Sequence, residues 1–224
     1  MTAAPMSAGP TSTGPMSAGP TSAGPMTAAS TTRPDGRFDP VRAFEVRALG
    51  AVQRVVVSPP LLRVAHGMSL FGEHAAGWLA IGAAGALLDR PRRREWLTAT
   101  AGVAFAHGAS VGVKRVVRRP RPTDPAVLVR VGTPSRLSFP SAHATSTTAA
   151  AVLFGALLRG VGGGVAVALV VPPMALSRLV LGVHYPSDVV AGSLLGAAVA
   201  AVARRAASRA ATMSHAELTW RKTR

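Results

Sequence analysis

Five apolar runs follow one another from residue 64 to residue 203, with arginine-rich stretches between them. They cover Val64 to Leu88, Trp96 to Val113, Ala142 to Leu158, Val161 to Leu176, and Val189 to Ala203, where Arg204-Arg205 ends the last. A helix crossing a bilayer needs about 20 residues, with a range near 17 to 25. Several runs lie at the short end, and the fifth is marginal. Hydrophobic residues make up 48% of the chain but aromatics only 4%. That mixture of Ala, Val, Leu and Gly suits helices packed closely in lipid better than a large soluble core. The series predicts an all-α fold, an integral-membrane helical bundle with about five transmembrane helices. Buried helices of a soluble all-α protein are the alternative. The formal net charge is +16. Because the basic residues fall between apolar runs, they suit headgroups and phosphate better than a nucleic-acid face. Membrane lipids are therefore expected partners, and nucleic acid is not. With no Cys, disulfides, thiolate metal sites and Cys nucleophiles are excluded.

The same pattern divides the chain. Residues 1–37 form a low-complexity arm in which Pro5 to Ser12 recurs ten residues later from Pro15. Its Pro, Gly, Ser, Thr and Ala cannot bury a core, so the arm is predicted disordered and dispensable. Residues 38–63 mix apolar residues with Arg42, Glu45, Arg47, Arg54 and Arg63. Residues 40–57 suit either an amphipathic helix on the membrane surface or a helix packed on the bundle, and a sixth span is a further option. Pro59-Pro60 interrupts any helix there. Residues 64–206 form the membrane domain and 207–224 a basic C-terminal tail. A multi-pass protein of the cell membrane is expected. Its basic residues divide evenly between the two sides, so the positive-inside rule leaves the orientation open.

Three segments carry the chemistry. Lys114 is followed after six residues by Arg121-Pro122. Pro140-Ser141-Ala142-His143 comes second. Ser177-Arg178 is followed by His184 and then, four residues later, by Asp188. Counting crossings puts the first after the second span, the second before the third span, and the third between the fourth and fifth. All three then emerge on one side. Cations neutralise phosphate charge in ground and transition states, and Arg matches two phosphate oxygens with one planar fork. One His can attack phosphorus, and an Asp one helical turn on can fix its tautomer. The other His can protonate a leaving oxygen. No spacing suits a zinc or two-metal site, so neither a metal nor any other cofactor is expected.

These three segments resemble the signature of the type 2 phosphatidic acid phosphatase family, over residues 114 to 188. The resemblance implies that His184 is the nucleophile, that Asp188 orients it, and that His143 is the general acid. It also implies that Lys114, Arg121, Ser141, Ala142 and Arg178 hold the phosphate. One position departs from the family pattern: Ala142 stands where Gly is usual. Alanine keeps the backbone N–H but restricts φ, so the site is expected to work if φ there is negative.

Phe71-Gly72-Glu73-His74, Gly132 to Ser135, Ser138 to Ala151 and Val171 to Met174 resemble a narrower group within the family. That group acts on a polyprenyl-linked phosphoribose of bacterial cell-wall arabinan synthesis. The resemblance implies a metal-independent lipid-phosphate phosphatase working through a phosphohistidine, with a lipid-linked phosphate as partner. Alternatives are a prenyl-diphosphate, phosphatidic acid or phosphatidylglycerophosphate phosphatase, or a non-catalytic lipid-binding protein. Glu73 and His74 are candidates for the substrate headgroup, or a pair that locks two helices.

Overall fold

The structure, a computed structural model, describes residues 40–158 and 163–222. The low-complexity arm and residues 159–162 lie outside the described residues, as do the side chains of most of the basic tail. Seven α-helices are described: α1 (Pro40–Val56), α2 (Pro59–Gly72), α3 (Ala76–Leu88), α4 (Arg93–Val117), α5 (Ala142–Gly155), α6 (Gly163–Val180) and α7 (Pro186–Lys222). No strand occurs among the described residues, as the all-α reading expects.

Helix α5 is the central element. It packs on α4, α6 and α7 and is buried on nearly every side. Thr145 and Ser146 donate their hydroxyls to the Ser141 and Ala142 carbonyls at 2.9 and 3.0 Å, while the buried Thr148 Oγ1 has no partner. Trp78 of α3 donates its indole N–H to Thr147 at 3.0 Å. Gly192 and Gly196 of α7 face the α5 backbone, where any Cβ would strike the Ser141 and Thr145 carbonyls. Small residues four apart allow this backbone approach. It sets the start of α7 against the start of α5.

Two elements differ from their sequence expectation. The first apolar run is not one helix. It breaks after Gly72 in a short 3₁₀ turn, Glu73–Ala75, with His74 at φ 50° and Ala75 at φ 59°. Left-handed backbone at an L-residue costs about 1–2 kcal/mol, so surrounding contacts must hold this turn. The fifth run does not end at Arg204-Arg205, and α7 continues to Lys222. Within residues 40–57, α1 packs on the bundle. Glu45, Leu49, Gly50 and Gln53 of α1 are buried, and α1 packs on α6 and α7. Pro59 and Pro60 open α2 at its first positions, where the missing N–H costs nothing.

Among the described residues, Pro186–Arg209 is long and apolar enough to cross a bilayer, and Gly164–Val180 is apolar over a shorter length.

Candidate active site

The ends of four helices and two links meet at one end of the bundle. Lys114 lies in the last turn of α4, which closes on Arg118 in the left-handed conformation (φ 54°), its N–H bonded to the Lys114 carbonyl. The chain then turns back on itself. Arg121 N–H reaches the Arg136 carbonyl at 3.3 Å, and Ser138 N–H reaches the Arg119 carbonyl at 2.8 Å. This clamp delivers Pro140 to His143 beside Lys114, whose ammonium donates to the Leu137 and Ser138 carbonyls at 3.3 and 3.0 Å.

Ser141 caps α5, its hydroxyl accepting from Ala144 N–H at 3.4 Å. Its own N–H donates to the Asp188 carbonyl at 2.8 Å, which joins the second motif to the third. Ala142 is the first helical residue and is absent from the positive-φ positions. The condition set for alanine at this position is thus met. Helix α5 begins at the site, and a helix N-terminus suits an anion.

His184 follows the turn at Leu181–Gly182, where Gly182 adopts φ 71° and a Cβ would meet the Leu128 carbonyl. The imidazole is 2% exposed. Arg121 donates from Nη1 to His184 Nε2 at 3.2 Å and to the Val183 carbonyl at 2.6 Å. A guanidinium can only donate. His184 Nε2 therefore accepts, and the ring proton sits on Nδ1. That atom is 3.6 Å from Asp188 Oδ2 and has no hydrogen-bond partner. Burial pushes the His184 pKa well below its usual range, and Arg121, Lys114, Arg178 and His143 push it the same way. The ring is neutral, with its lone pair on Nε2. Burial likewise brings Arg121 down to about 10, against the pull of Asp188. Arg121 remains charged at neutral pH.

Arg178, at the end of α6, is 2% exposed, and its Nε and Nη1 have no partner. Burying a guanidinium without compensation costs several kcal/mol. His143 sits on the facing side, with Nε2 2.9 Å from the Ser69 carbonyl. A carbonyl only accepts, so Nε2 carries hydrogen and Nδ1 is the other functional atom. Gly72 lies against this ring so closely that a Cβ would overlap it. Glu73 is within electrostatic reach of Arg178, while the His74 ring lies 6.4 Å from His107.

Residues of the three motifs thus come together, and Glu73 lies at their edge. His74 is exposed and pairs loosely with His107 rather than joining them. The structure adds groups that the motifs do not announce. Arg119 donates from Nη1 to Ser187 Oγ at 2.7 Å and to Asp188 Oδ1 at 2.8 Å. Its Nη2 pairs with Glu45 of α1. The sequence offers one hint: Glu45 shares the face of α1 with Leu49 and Gln53, an acid on a buried stripe. Arg119 is indistinguishable in sequence from its basic neighbours.

A helical bundle that gathers two imidazoles, a carboxylate and buried cations at one end defines an enzyme of phosphoryl transfer. Residues 95–211 match the PAP2 superfamily, and the chain belongs to that family. It is 60% identical over 149 residues to the decaprenylphosphoryl-5-phosphoribose phosphatase of Mycolicibacterium smegmatis, covering 66% of this chain and 81% of that one. It is 57% identical over 159 residues to the Mycobacterium tuberculosis protein of the same name, covering 70% and 88%. The fold resembles a transmembrane PAP2-type phosphatidylglycerolphosphate phosphatase from Bacillus subtilis (TM-score 0.63, 19% identity, 77% of this chain and 89% of that one). It also resembles Aquifex aeolicus LpxE (TM-score 0.57, 17% identity, 71% and 94%).

Proposed function

We propose that this chain hydrolyses the phosphomonoester of a polyprenyl-linked sugar phosphate, decaprenylphosphoryl-5-phosphoribose, through a phosphohistidine on His184. The observation that carries the reading is the buried Arg178 guanidinium with two unpartnered nitrogens, grouped with Arg121, Lys114 and two imidazoles. Such a group is stable only beside an anion of matching charge, and a phosphate dianion offers paired oxygens to Arg178 and Arg121.

The reaction follows from the atoms available. The phosphate binds to Arg178, Arg121, Lys114, Ser141 and the N–H of Ala142. Arg121 shifts its hydrogen bond from His184 Nε2 to a phosphate oxygen, which frees the lone pair. Nε2 attacks phosphorus in line with the ester oxygen, and the P–O bond breaks. His143, held by Ser69 at Nε2, takes up a proton at Nδ1 as the phosphate dianion binds beside it and gives that proton to the departing alkoxide. Asp188 offsets the positive charge that grows on the His184 ring. In the second half His143 removes a proton from water, the oxygen attacks phosphorus, and the P–N bond breaks to release inorganic phosphate. Cations do the work that metal ions do in other phosphatases. In this reading Glu73, within electrostatic reach of Arg178, contacts the headgroup, and His74, turned to His107, does not.

The bundle spans the membrane in this reading. Large apolar side chains point outward along several helices: Phe105 of α4 is 68% exposed, Leu169 of α6 67% and Leu194 of α7 67%. Exposed apolar surface on this scale needs a lipid cover. The lipid tail of the substrate would stay in the bilayer while its phosphate enters the site. The test uses purified protein with the sugar phosphate, a prenyl diphosphate and phosphatidic acid in parallel. Turnover should be fastest on the sugar phosphate, persist in EDTA and stop with vanadate. Loss of activity in EDTA with recovery on adding a divalent ion would overturn the mechanism; preference for another lipid would overturn the substrate.

A further inference from the structure

Asp188 has its two oxygens held by partners other than His184. Oδ1 accepts from Arg119 at 2.8 Å, and Oδ2 accepts from Tyr185 N–H at 2.8 Å. The carboxylate is completely buried. Arg119 is itself fixed from three sides. It bonds Ser187 Oγ, pairs with Glu45, and lies flat over the Tyr185 ring with its Cζ 4.2 Å from the centroid. Glu45 closes the loop by accepting from Ser187 N–H at 3.1 Å. Five side chains, from α1, the 118–141 link, the 181–185 link and α7, therefore form one network around Asp188. The Glu45 side chain is 5% exposed and that of Arg119 24%, so the acid is shut away from solvent and the guanidinium is only partly open to it.

We infer that Glu45 and Arg119 are positioning residues for catalysis, a brace through which α1 holds the Asp188 carboxylate anionic and aimed at His184. The inference rests on the proposed role of His184. Asp188 can offset the charge on the attacking imidazole only as an anion within reach of Nδ1. A buried carboxylate with no cation beside it takes up a proton or moves toward one. Arg119 supplies that cation, with three of its five N–H donors directed at Ser187, Asp188 and Glu45. Glu45 in turn neutralises Arg119 from behind and fixes its plane. Arg119 is not interchangeable with Lys, since three directed contacts and a stacked face need the guanidinium.

The brace predicts a specific kinetic signature. Arg119→Met should lower kcat about 10- to 100-fold, the usual scale for loss of an outer orienting partner, while KM changes less than about threefold because ground-state binding is untouched. The rate of phosphoenzyme formation in a single turnover should fall with kcat. Glu45→Gln keeps the shape of α1 and should give a smaller fall of the same kind. Arg119→Lys should fall between wild type and Arg119→Met. Thermal melting of each variant checks that it is folded, and Glu45→Gln keeps the test open if Arg119→Met does not fold. Unchanged kcat in folded Arg119→Met and Glu45→Gln would sink the brace. So would a rise in KM or in the vanadate inhibition constant matching the fall in kcat, which would place Arg119 on the phosphate. An inactive wild type would instead refute the phosphatase reading, and His184→Ala supplies the baseline that separates the two failures.

Discussion

Each of the two imidazoles at the site is fixed by a group that leaves it no choice of tautomer. Arg121 can only donate to His184 Nε2, and the Ser69 carbonyl can only accept from His143 Nε2. The two rings are thus set for different work, and their loss should show it. His184→Ala removes the nucleophile, so no phosphoenzyme forms on any substrate. His143→Ala removes a proton donor worth about 100- to 10,000-fold where the leaving group is a poor alkoxide. On nitrophenyl phosphate, whose leaving group needs little protonation, that loss should shrink sharply. Rate ratios on both substrates check this, and equal losses for His143→Ala on the two would refute its role as acid. The His184 environment also has a consequence for stability. Burial holds its folded pKa well below the ordinary histidine value of about 6.5. Above about pH 6.5 both states hold the ring neutral. As pH falls below that value the unfolded chain binds a proton that the folded one refuses, so stability falls. Melting temperature should drop from pH 7 to pH 5, and His184→Gln should flatten the drop. A variant with the wild-type slope would show that other groups dominate.

At the scale of elements, the contact between α5 and α7 decides whether the motifs meet. It depends on glycines rather than on apolar bulk. A Cβ at position 192 would lie 2.5 Å from the Ser141 carbonyl oxygen and 3.2 Å from its nitrogen. Both are backbone atoms of the second motif and cannot rotate away. Gly192→Ala should therefore cost about 1–3 kcal/mol as overpacking and reduce kcat, since Ser141 also bonds the Asp188 carbonyl. Gly112→Ala is the control: the space around it is open, and alanine in a helix interior is favoured by about 0.5–1 kcal/mol. Melting and turnover of the pair check the claim, and equal behaviour would refute it. The break at Gly72–Ala75 works in the same way. It ends α2 where the Ser69 carbonyl meets His143, and a continued helix would lose that register.

At the scale of the molecule, the outward-facing side chains argue for a lipid surroundings on α4, α6 and α7. The chain should stay in the membrane pellet after alkaline carbonate extraction. Leu194→Lys, on an exposed face near the middle of the long apolar part of α7, should reduce insertion by about 2.5–3.5 kcal/mol. Recovery of wild type in the soluble fraction would refute the multi-pass reading.

The amino-acid sequence by itself determined the all-helical class, through apolar runs punctuated by arginine, and which residues gather in the candidate site. Lys114, Arg121, His143, Arg178, His184 and Asp188 are recognisable because their spacings are local and their order along the chain is enough to put them at one end. The condition for alanine at 142, a negative φ, was legible in the sequence, and the start of α5 supplies it. The tertiary structure alone decided how these residues are held. Glu45 and Ser187 are 142 positions apart, and Arg119 and Asp188 are 69 apart. No periodicity records which of many arginines meets which acid, because that choice depends on the helices already being packed. The left-handed His74 and Ala75 escaped the sequence for the same reason. Neither residue type prefers that conformation, and only the ring of His143 against Gly72, with the helices that carry them, makes the turn the lower-energy path.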